Sequence, residues 1–285
     1  MTVTIMPIKE QIGAEVRGVN VRSPLDPDVV RLLADAWAKH QVLVLHDQDI
    51  TDDQQVAFTR CFGTVAMTMV NDPYGGGGPI NRISNVDGEG RLIPHDDSRS
   101  AYGKGNQLWH SDGSFKPVAL RASLLSAKVV PPEGGQTEFA SVRAAYASLP
   151  AGRQAEMEGL VVEHSMTYSR LLIGADLVTQ SFAADVPPVH HPLVRTIGAT
   201  GQKAFLIGSY CSHIIDWPVD KGRALLDELL VLATQPDYVY SHRWRARDLV
   251  MWDNYCCLHR GRPWDGARYK RIMHRTTLAV DAAVT

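Results

Sequence analysis

His110 and Asp112 are one residue apart in the stretch Leu108-Trp109-His110-Ser111-Asp112-Gly113-Ser114. On an extended strand, residues two apart project from the same face, so an imidazole and a carboxylate can converge on one point. A second imidazole, His259, lies far downstream in the stretch Asp248-Leu-Val-Met-Trp-Asp-Asn-Tyr-Cys-Cys-Leu-His259-Arg-Gly261. Two histidines and one carboxylate fill one face of an octahedron and leave three positions open, the arrangement of non-heme Fe(II) oxygenases. His-x-Asp is short enough to recur by chance, so the metal reading depends on whether the chain supplies the other parts.

Arg271-Ile-Met-His-Arg275 supplies two of them. At a period of two, Arg271, Met273 and Arg275 share one face of a strand and His274 faces the other way. Arginines directed into a barrel are tolerated only when an anion meets them. A dicarboxylate suits them, because the guanidinium fork offers bidentate geometry that lysine lacks. A lone strand arginine is ordinarily a surface charge, and a lone histidine a hydrogen-bonded surface residue. Together and in this order, the five groups outweigh that bland interpretation.

The elements that must position these residues are short. Strand signals fall at 15–21, 41–46, 80–85, 122–130, 137–140, 161–166, 193–197, 203–208, 238–244, 248–252 and 271–280. Asp26-Pro27 opens one helix and the capping box Thr51-Asp-Asp-Gln54 opens a second. Helical insertions are expected at 141–149 with 152–159, and at 219–233. Many short strands separated by turn residues predict a mainly β fold with flanking helices, a double-stranded β-helix or jelly roll. The chain reads as one domain over 1–285. Residues 64–106, which include Asn71-Asp-Pro-Tyr-Gly-Gly-Gly-Gly-Pro79, are polar and rich in turn formers and lead straight to His110. They are expected to form an active-site lid.

Composition narrows the function classes. The 285 residues are 45% hydrophobic and 21% charged, with a net charge of −2 and both signs interspersed. No nucleic-acid or membrane-surface partner is expected from such a balance. The N-terminal residues carry no basic region followed by an apolar core, so no secretory leader is expected. Cys61, Cys211, Cys256 and Cys257 show neither metal-knuckle spacing nor a disulfide framework, which suits a reducing cytoplasm. The sequence leaves open whether copies assemble as a homo-oligomer.

The ordered set Asn106-Gln-Leu-Trp-His-Ser-Asp112, Gly134-Gly-Gln-Thr-Glu138, Trp252-Asp-Asn254, His259-Arg-Gly261 and Arg271-Ile-Met-His-Arg-Thr-Thr277 resembles the taurine dioxygenase family of Fe(II)/2-oxoglutarate oxygenases. Within it the likeness is strongest to the dichlorophenoxyacetate (aryloxyalkanoate) dioxygenases. Pro131-Pro-Glu-Gly-Gly135, Arg143-Ala-Ala-Tyr146, Pro192-Leu-Val-Arg-Thr196 and His242-Arg-Trp244 extend it over nearly the whole chain, and it is weakest in the lid.

The resemblance implies Fe(II) held by His110, Asp112 and His259, with 2-oxoglutarate and O2 as co-substrates. It implies that Arg271, helped by Thr137, pairs with the distal carboxylate of 2-oxoglutarate. It directs Arg275 toward the acid group of a small anionic organic substrate and places Asn106 in the same pocket. One departure bears on the substrate. The family's taurine enzyme uses a histidine shortly after the Phe-Gly pair (here Phe62-Gly63), and this chain has none between Gly63 and His95. Taurine is therefore not the expected substrate.

Met67, Met69 and Val70 are candidates for an apolar pocket or for core. The expected reaction cleaves the ether of an aryloxyalkanoate to a phenol and an oxoacid, with release of succinate and CO2. The alternative keeps the iron chemistry but oxidises an alkyl sulfonate, sulfate ester or aliphatic carboxylate. A jelly-roll binding protein without turnover would lack one of these groups. A zinc hydrolase could use the same three ligands but has no use for Arg271.

Overall fold

The computed structural model describes residues 2–69, 76–94, 97, 103–174, 185–198 and 200–280. Part of the expected lid, with Val70 and His95, lies outside the described residues. The strands are β1 (Thr4–Pro7), β2 (Ala14–Arg17), β3 (Val42–Leu45), β4 (Asn81–Ser84) and β5 (Ala122–Val129). They continue with β6 (Thr137–Ser141), β7 (Val161–His164), β8 (Val189–Pro192), β9 (Val194–Thr196) and β10 (Lys203–Phe205). The last five are β11 (Cys211–Ile214), β12 (Val239–His242), β13 (Leu249–Asp253), β14 (Cys257–Gly261) and β15 (Ile272–Leu278). The helices are α1 (Pro27–His40), α2 (Asp52–Arg60), α3 (Val142–Ala147), α4 (Ala151–Met157), α5 (Met166–Leu171) and α6 (Val219–Ala233).

A seven-stranded sheet in the order β1-β2-β3-β13-β5-β15-β4 forms one wall, and β12-β6-β14 forms the facing wall. Together they make the mainly β jelly roll with flanking helices. Alternation along the central strands divides the core. Val42, Val44, Leu125, Ala127, Val250 and Trp252 point inward to meet Phe139 and Leu258 of the smaller sheet. Their neighbours Leu43, Leu45, Leu124, Leu249 and Met251 point outward to Leu33 and Trp37 of α1 and Phe58 of α2. Strands covered on both faces favour apolar residues at successive positions, which is why β3 and β13 read as hydrophobic runs, while β5 also admits the buried Ser123 and Ser126.

Both expected helix starts are present: Asp26 caps α1, and Thr51 and Gln54 close the capping box of α2. The strand expected over 15–21 stops at Arg17. Gly18 has φ +79°, and a Cβ there would sit 2.4 Å from the Thr2 carbonyl oxygen, so the chain turns away. The sequence reading missed β1, β8, β11 and α5, which span four to six residues and are too short to establish a period.

Helix α2 is pinned to the sheet by a buried glutamine. Gln55 Nε2 donates to the carbonyls of Leu124 (3.2 Å) and His274 (2.9 Å), and its Oε1 accepts from Ser126 Oγ (2.7 Å). Gln55→Leu should lower unfolding stability by about 2 kcal/mol, because the buried Ser126 hydroxyl would keep only its long 3.4 Å contact to the His274 carbonyl. A urea titration reads this as a lower midpoint at unchanged slope.

Candidate active site

Strand β14 carries His259, and β6 runs antiparallel beside it with Phe139 opposite His259 and Thr137 opposite Gly261. On the other side of β14, His110 forms one isolated antiparallel bridge with His259. His110 N donates to His259 O at 3.0 Å and His259 N to His110 O at 2.8 Å. The spacing of His110 and Asp112 suggests a continuous strand, and the structure differs: only His110 pairs, and Asp112 opens a turn. That turn depends on Gly113 (φ +70°), where a Cβ would lie 2.5 Å from Leu120.

The backbone bridge makes the two imidazoles cross-strand neighbours, with ring centroids 4.2 Å apart. The turn then delivers the carboxylate. His110 Nε2 lies 3.9 Å from Asp112 Oδ1, and His259 Nε2 lies 3.7 Å from Asp112 Oδ2. One ligand atom from each residue falls within 4.8 Å of the others, and all three side chains are buried.

The protonation states suit a divalent first-row metal. Burial pushes the pKa of both histidines below the ordinary imidazole value, so each ring is neutral near pH 7 and has a lone pair to give. His110 must carry its proton on Nδ1, which donates to the Leu108 carbonyl at 2.7 Å, so Nε2 is the coordinating atom. Burial alone would raise the Asp112 carboxyl, but the Arg275 guanidinium, the two neighbouring histidines and the Ser123 hydrogen bond together outweigh it and hold the group well below the usual carboxylate range. Two neutral imidazoles and one ionised carboxylate are the donor set Fe(II) takes in this geometry.

Asp112 is held by residues that the sequence reading assigned no role. Ser123 Oγ, on β5, donates to Asp112 Oδ2 at 2.7 Å. Asn254 Nδ2 donates to Ser123 Oγ at 3.2 Å, while Asn254 Oδ1 accepts from Trp252 Nε1 (2.9 Å) and from Asp112 N (3.3 Å). Ser123 stands in a strand that is otherwise largely apolar and buried, but nothing in the sequence marks it or Asn254 as a partner of Asp112. Ser123→Ala should weaken metal affinity roughly 10-fold while leaving the fold intact, because the ligand loses its orienting bond. A competitive metal titration with a coloured chelator reads this directly.

Two adjoining cavities open at the site. The first, of about 90 Å³, is lined by Asp112, Arg275 and Asn106 and by Met69, Phe115 and Tyr210. Met67 also lines it. The second, of about 210 Å³, is lined by Arg271, Trp264 and Arg262 among others. Asn106, on the single turn Lys104–Gln107, contributes to both walls, as does Ile83.

The two arginines therefore serve different spaces. Arg275 Nη1 donates to Asp112 Oδ1 at 2.6 Å, and its buried Nε has no hydrogen-bond partner. Arg271 is 7% exposed, its Nε also has no partner, and burial alone pushes its pKa down to about 10. The Trp264 ring lies 5.4 Å from the guanidinium carbon. Its backbone is clasped by Asn85, whose Oδ1 accepts from Arg271 N at 2.7 Å while Asn85 Nδ2 donates to the carbonyls of Gly266 and Tyr269. Thr137 is buried and accepts from Trp244 Nε1 at 2.9 Å. His190, His191 and His213 line neither of these cavities.

Comparison with known proteins adds to this geometry. A family model described as taurine catabolism dioxygenase TauD, TfdA family matches residues 4–277. The chain is 42% identical over 285 residues to an alpha-ketoglutarate-dependent 2,4-dichlorophenoxyacetate dioxygenase of Cupriavidus pinatubonensis, covering 98% of both. It is 37% identical over 287 residues to an (S)-phenoxypropionate/alpha-ketoglutarate-dioxygenase of Sphingobium herbicidovorans, covering 98% of this chain and 96% of that one. Among solved structures, that of AAD-2 in complex with Mn(II) and N-oxalylglycine superposes with a TM-score of 0.92 at 40% identity, covering 100% and 99% of the two chains.

Proposed function

The chain belongs to the taurine catabolism dioxygenase TauD, TfdA family and is an Fe(II)- and 2-oxoglutarate-dependent dioxygenase, and we propose that its substrate is an aryloxyalkanoate acid whose ether it cleaves. The observation that carries this is a buried three-ligand cluster beside a cavity lined by Asp112 and the largely buried Arg275, with a second, adjoining cavity lined by the buried Arg271. The sequence identity to enzymes named for dichlorophenoxyacetate and phenoxypropionate supports the substrate class.

In this reading His110, Asp112 and His259 hold Fe(II). Arg271 and Thr137 receive the distal carboxylate of 2-oxoglutarate. When bound, the iron and 2-oxoglutarate supply the oxidising chemistry: O2 is consumed, succinate and CO2 are released, and one oxygen atom is added to a substrate carbon. The protein's share is orientation. Ser123 and Asn254 fix Asp112; Arg275, joined to Asp112 through Nη1, offers its Nε to the substrate carboxylate, and Asn106 stands beside it. That anchor leaves the carbon next to the ether oxygen facing the ligand cluster. Phe115, Tyr210, Leu120 and Met69 offer apolar surface to the aryl end. Hydroxylation beside the ether oxygen gives a hemiacetal, which collapses to a phenol and an oxoacid. No helix of the described residues is long and apolar enough to cross a membrane, and four free thiols accord with a reducing cytoplasm.

The test is oxygen-dependent succinate formation by Fe(II)-loaded protein across phenoxyacetates, phenoxypropionates, alkyl sulfonates and aliphatic acids. Equal amounts of succinate and phenol with the aryloxy acids are expected. Turnover with a sulfonate or aliphatic acid alone would reject the substrate and keep the iron chemistry.

A further inference from the structure

Thr137 begins β6 and is flanked across the sheet by Gly261 of β14 and His242 of β12. Two residues beyond His242, Trp244 points its indole N–H at the threonine hydroxyl, 2.9 Å away. An indole nitrogen can only donate, so Thr137 Oγ1 must accept. The hydroxyl retains one proton, and no acceptor for it occurs among the described residues. Thr137 is only 3% exposed, which leaves that proton little access to water.

We propose that Trp244 is a positioning residue for 2-oxoglutarate: by occupying the acceptor side of the Thr137 hydroxyl, it turns that hydroxyl's proton toward the bound co-substrate's distal carboxylate. The inference rests on the reading that Arg271 and Thr137 receive this carboxylate. A free hydroxyl can rotate to present either lone pairs or a proton, and a carboxylate tolerates only the proton. Trp244 removes the unproductive orientations before the ligand arrives, which lowers the entropy lost on binding.

Trp244 is itself held in place. The His242 ring meets it edge-on, with centroids 4.6 Å apart and planes at 89°. His242 is clamped at both nitrogens, Nδ1 to the Tyr240 hydroxyl (2.8 Å) and Nε2 to Asp248 Oδ2 (3.0 Å). The buried Asp248 carboxylate also accepts from Arg245 N (2.9 Å) and pairs with His46 Nδ1 (2.6 Å). One carboxylate thus ties the turn bearing Trp244 to β12 and to the end of β3. A tryptophan needed only for packing would have no use for this directional bond.

The experiment is calorimetric titration of anaerobic Fe(II)-loaded protein with 2-oxoglutarate and, separately, with pyruvate, which keeps the 2-oxo acid but lacks the distal carboxylate. Trp244→Phe keeps an aromatic ring and deletes the donor. It should raise the Kd for 2-oxoglutarate roughly fivefold and change that for pyruvate less than about twofold. In a Thr137→Val background the same substitution should add less than about twofold, because its partner is already gone. Retained pyruvate binding reports an intact site in each variant. Equal weakening for both ligands, additive losses in the double variant, or an unchanged Kd for 2-oxoglutarate would overturn the proposal. Failure of the unsubstituted protein to bind 2-oxoglutarate would overturn the functional reading and this inference with it.

Discussion

Asp112→Ala is expected to abolish iron-dependent succinate formation and also to destabilise the metal-free protein by about 3 kcal/mol. The first effect follows from losing the only anionic ligand of the cluster. The second follows from Arg275, whose side chain is 18% exposed and whose Nη1 donates to Asp112 at 2.6 Å. Without the carboxylate, a largely buried guanidinium would keep its charge and lose its partner, while Ser123 Oγ would lose its acceptor. Adding Arg275→Met to Asp112→Ala removes the stranded charge, so the double variant should regain most of the lost stability and none of the activity. Urea unfolding of the metal-free proteins and succinate assays of the Fe(II)-loaded ones separate the two roles. An Asp112→Ala protein as stable as the parent would mean that the ion pair contributes nothing to the fold.

The parts of this site differ in how far the chain betrayed them. His110 and Asp112 are adjacent enough for their spacing to suggest convergence. The device that aligns the histidines, a two-bond bridge between residues 110 and 259, was invisible because it joins segments far apart in sequence. The parity of Arg271 and Arg275 was legible, but not their division between two cavities or the Asp112 partner of Arg275. Ser123, Asn254 and Asn85 escaped notice for a plainer reason. Serine and asparagine occur everywhere, and only burial and a partner give one of them a role. Architecture followed the same rule. The helix caps at Asp26 and Thr51 and the doubly covered strands β3 and β13 declared themselves through local chemistry and apolar runs. β8 (Val-His-His-Pro) and β11 (Cys-Ser-His-Ile) did not, because their strand state is imposed by the neighbour β7 rather than by their own composition.

Arg271→Met should act on binding and on stability in opposite directions. The 2-oxoglutarate Kd is expected to rise at least about 100-fold, close to 3 kcal/mol, since a bidentate charge-assisted contact to a carboxylate would be lost. The ligand-free protein is expected to be as stable as the parent or about 1 kcal/mol more stable. The physical reason is that Arg271 is buried, that burial alone lowers its pKa to about 10, and that its Nε has no partner. Its desolvation is uncompensated until an anion arrives, so the free enzyme carries the cost and the complex recovers it. Arg271→Lys should retain charge and still bind weakly, because an ammonium cannot match the fork. Thermal melts with and without 2-oxoglutarate read both effects at once. At a ligand concentration of 100 times the parent's Kd the parent should gain about 2.7 kcal/mol, and the methionine variant less than about 0.5 kcal/mol. A methionine variant that still gained the full amount would show that the carboxylate is held elsewhere. One that melted well below the parent without ligand would show that Arg271 has a structural partner.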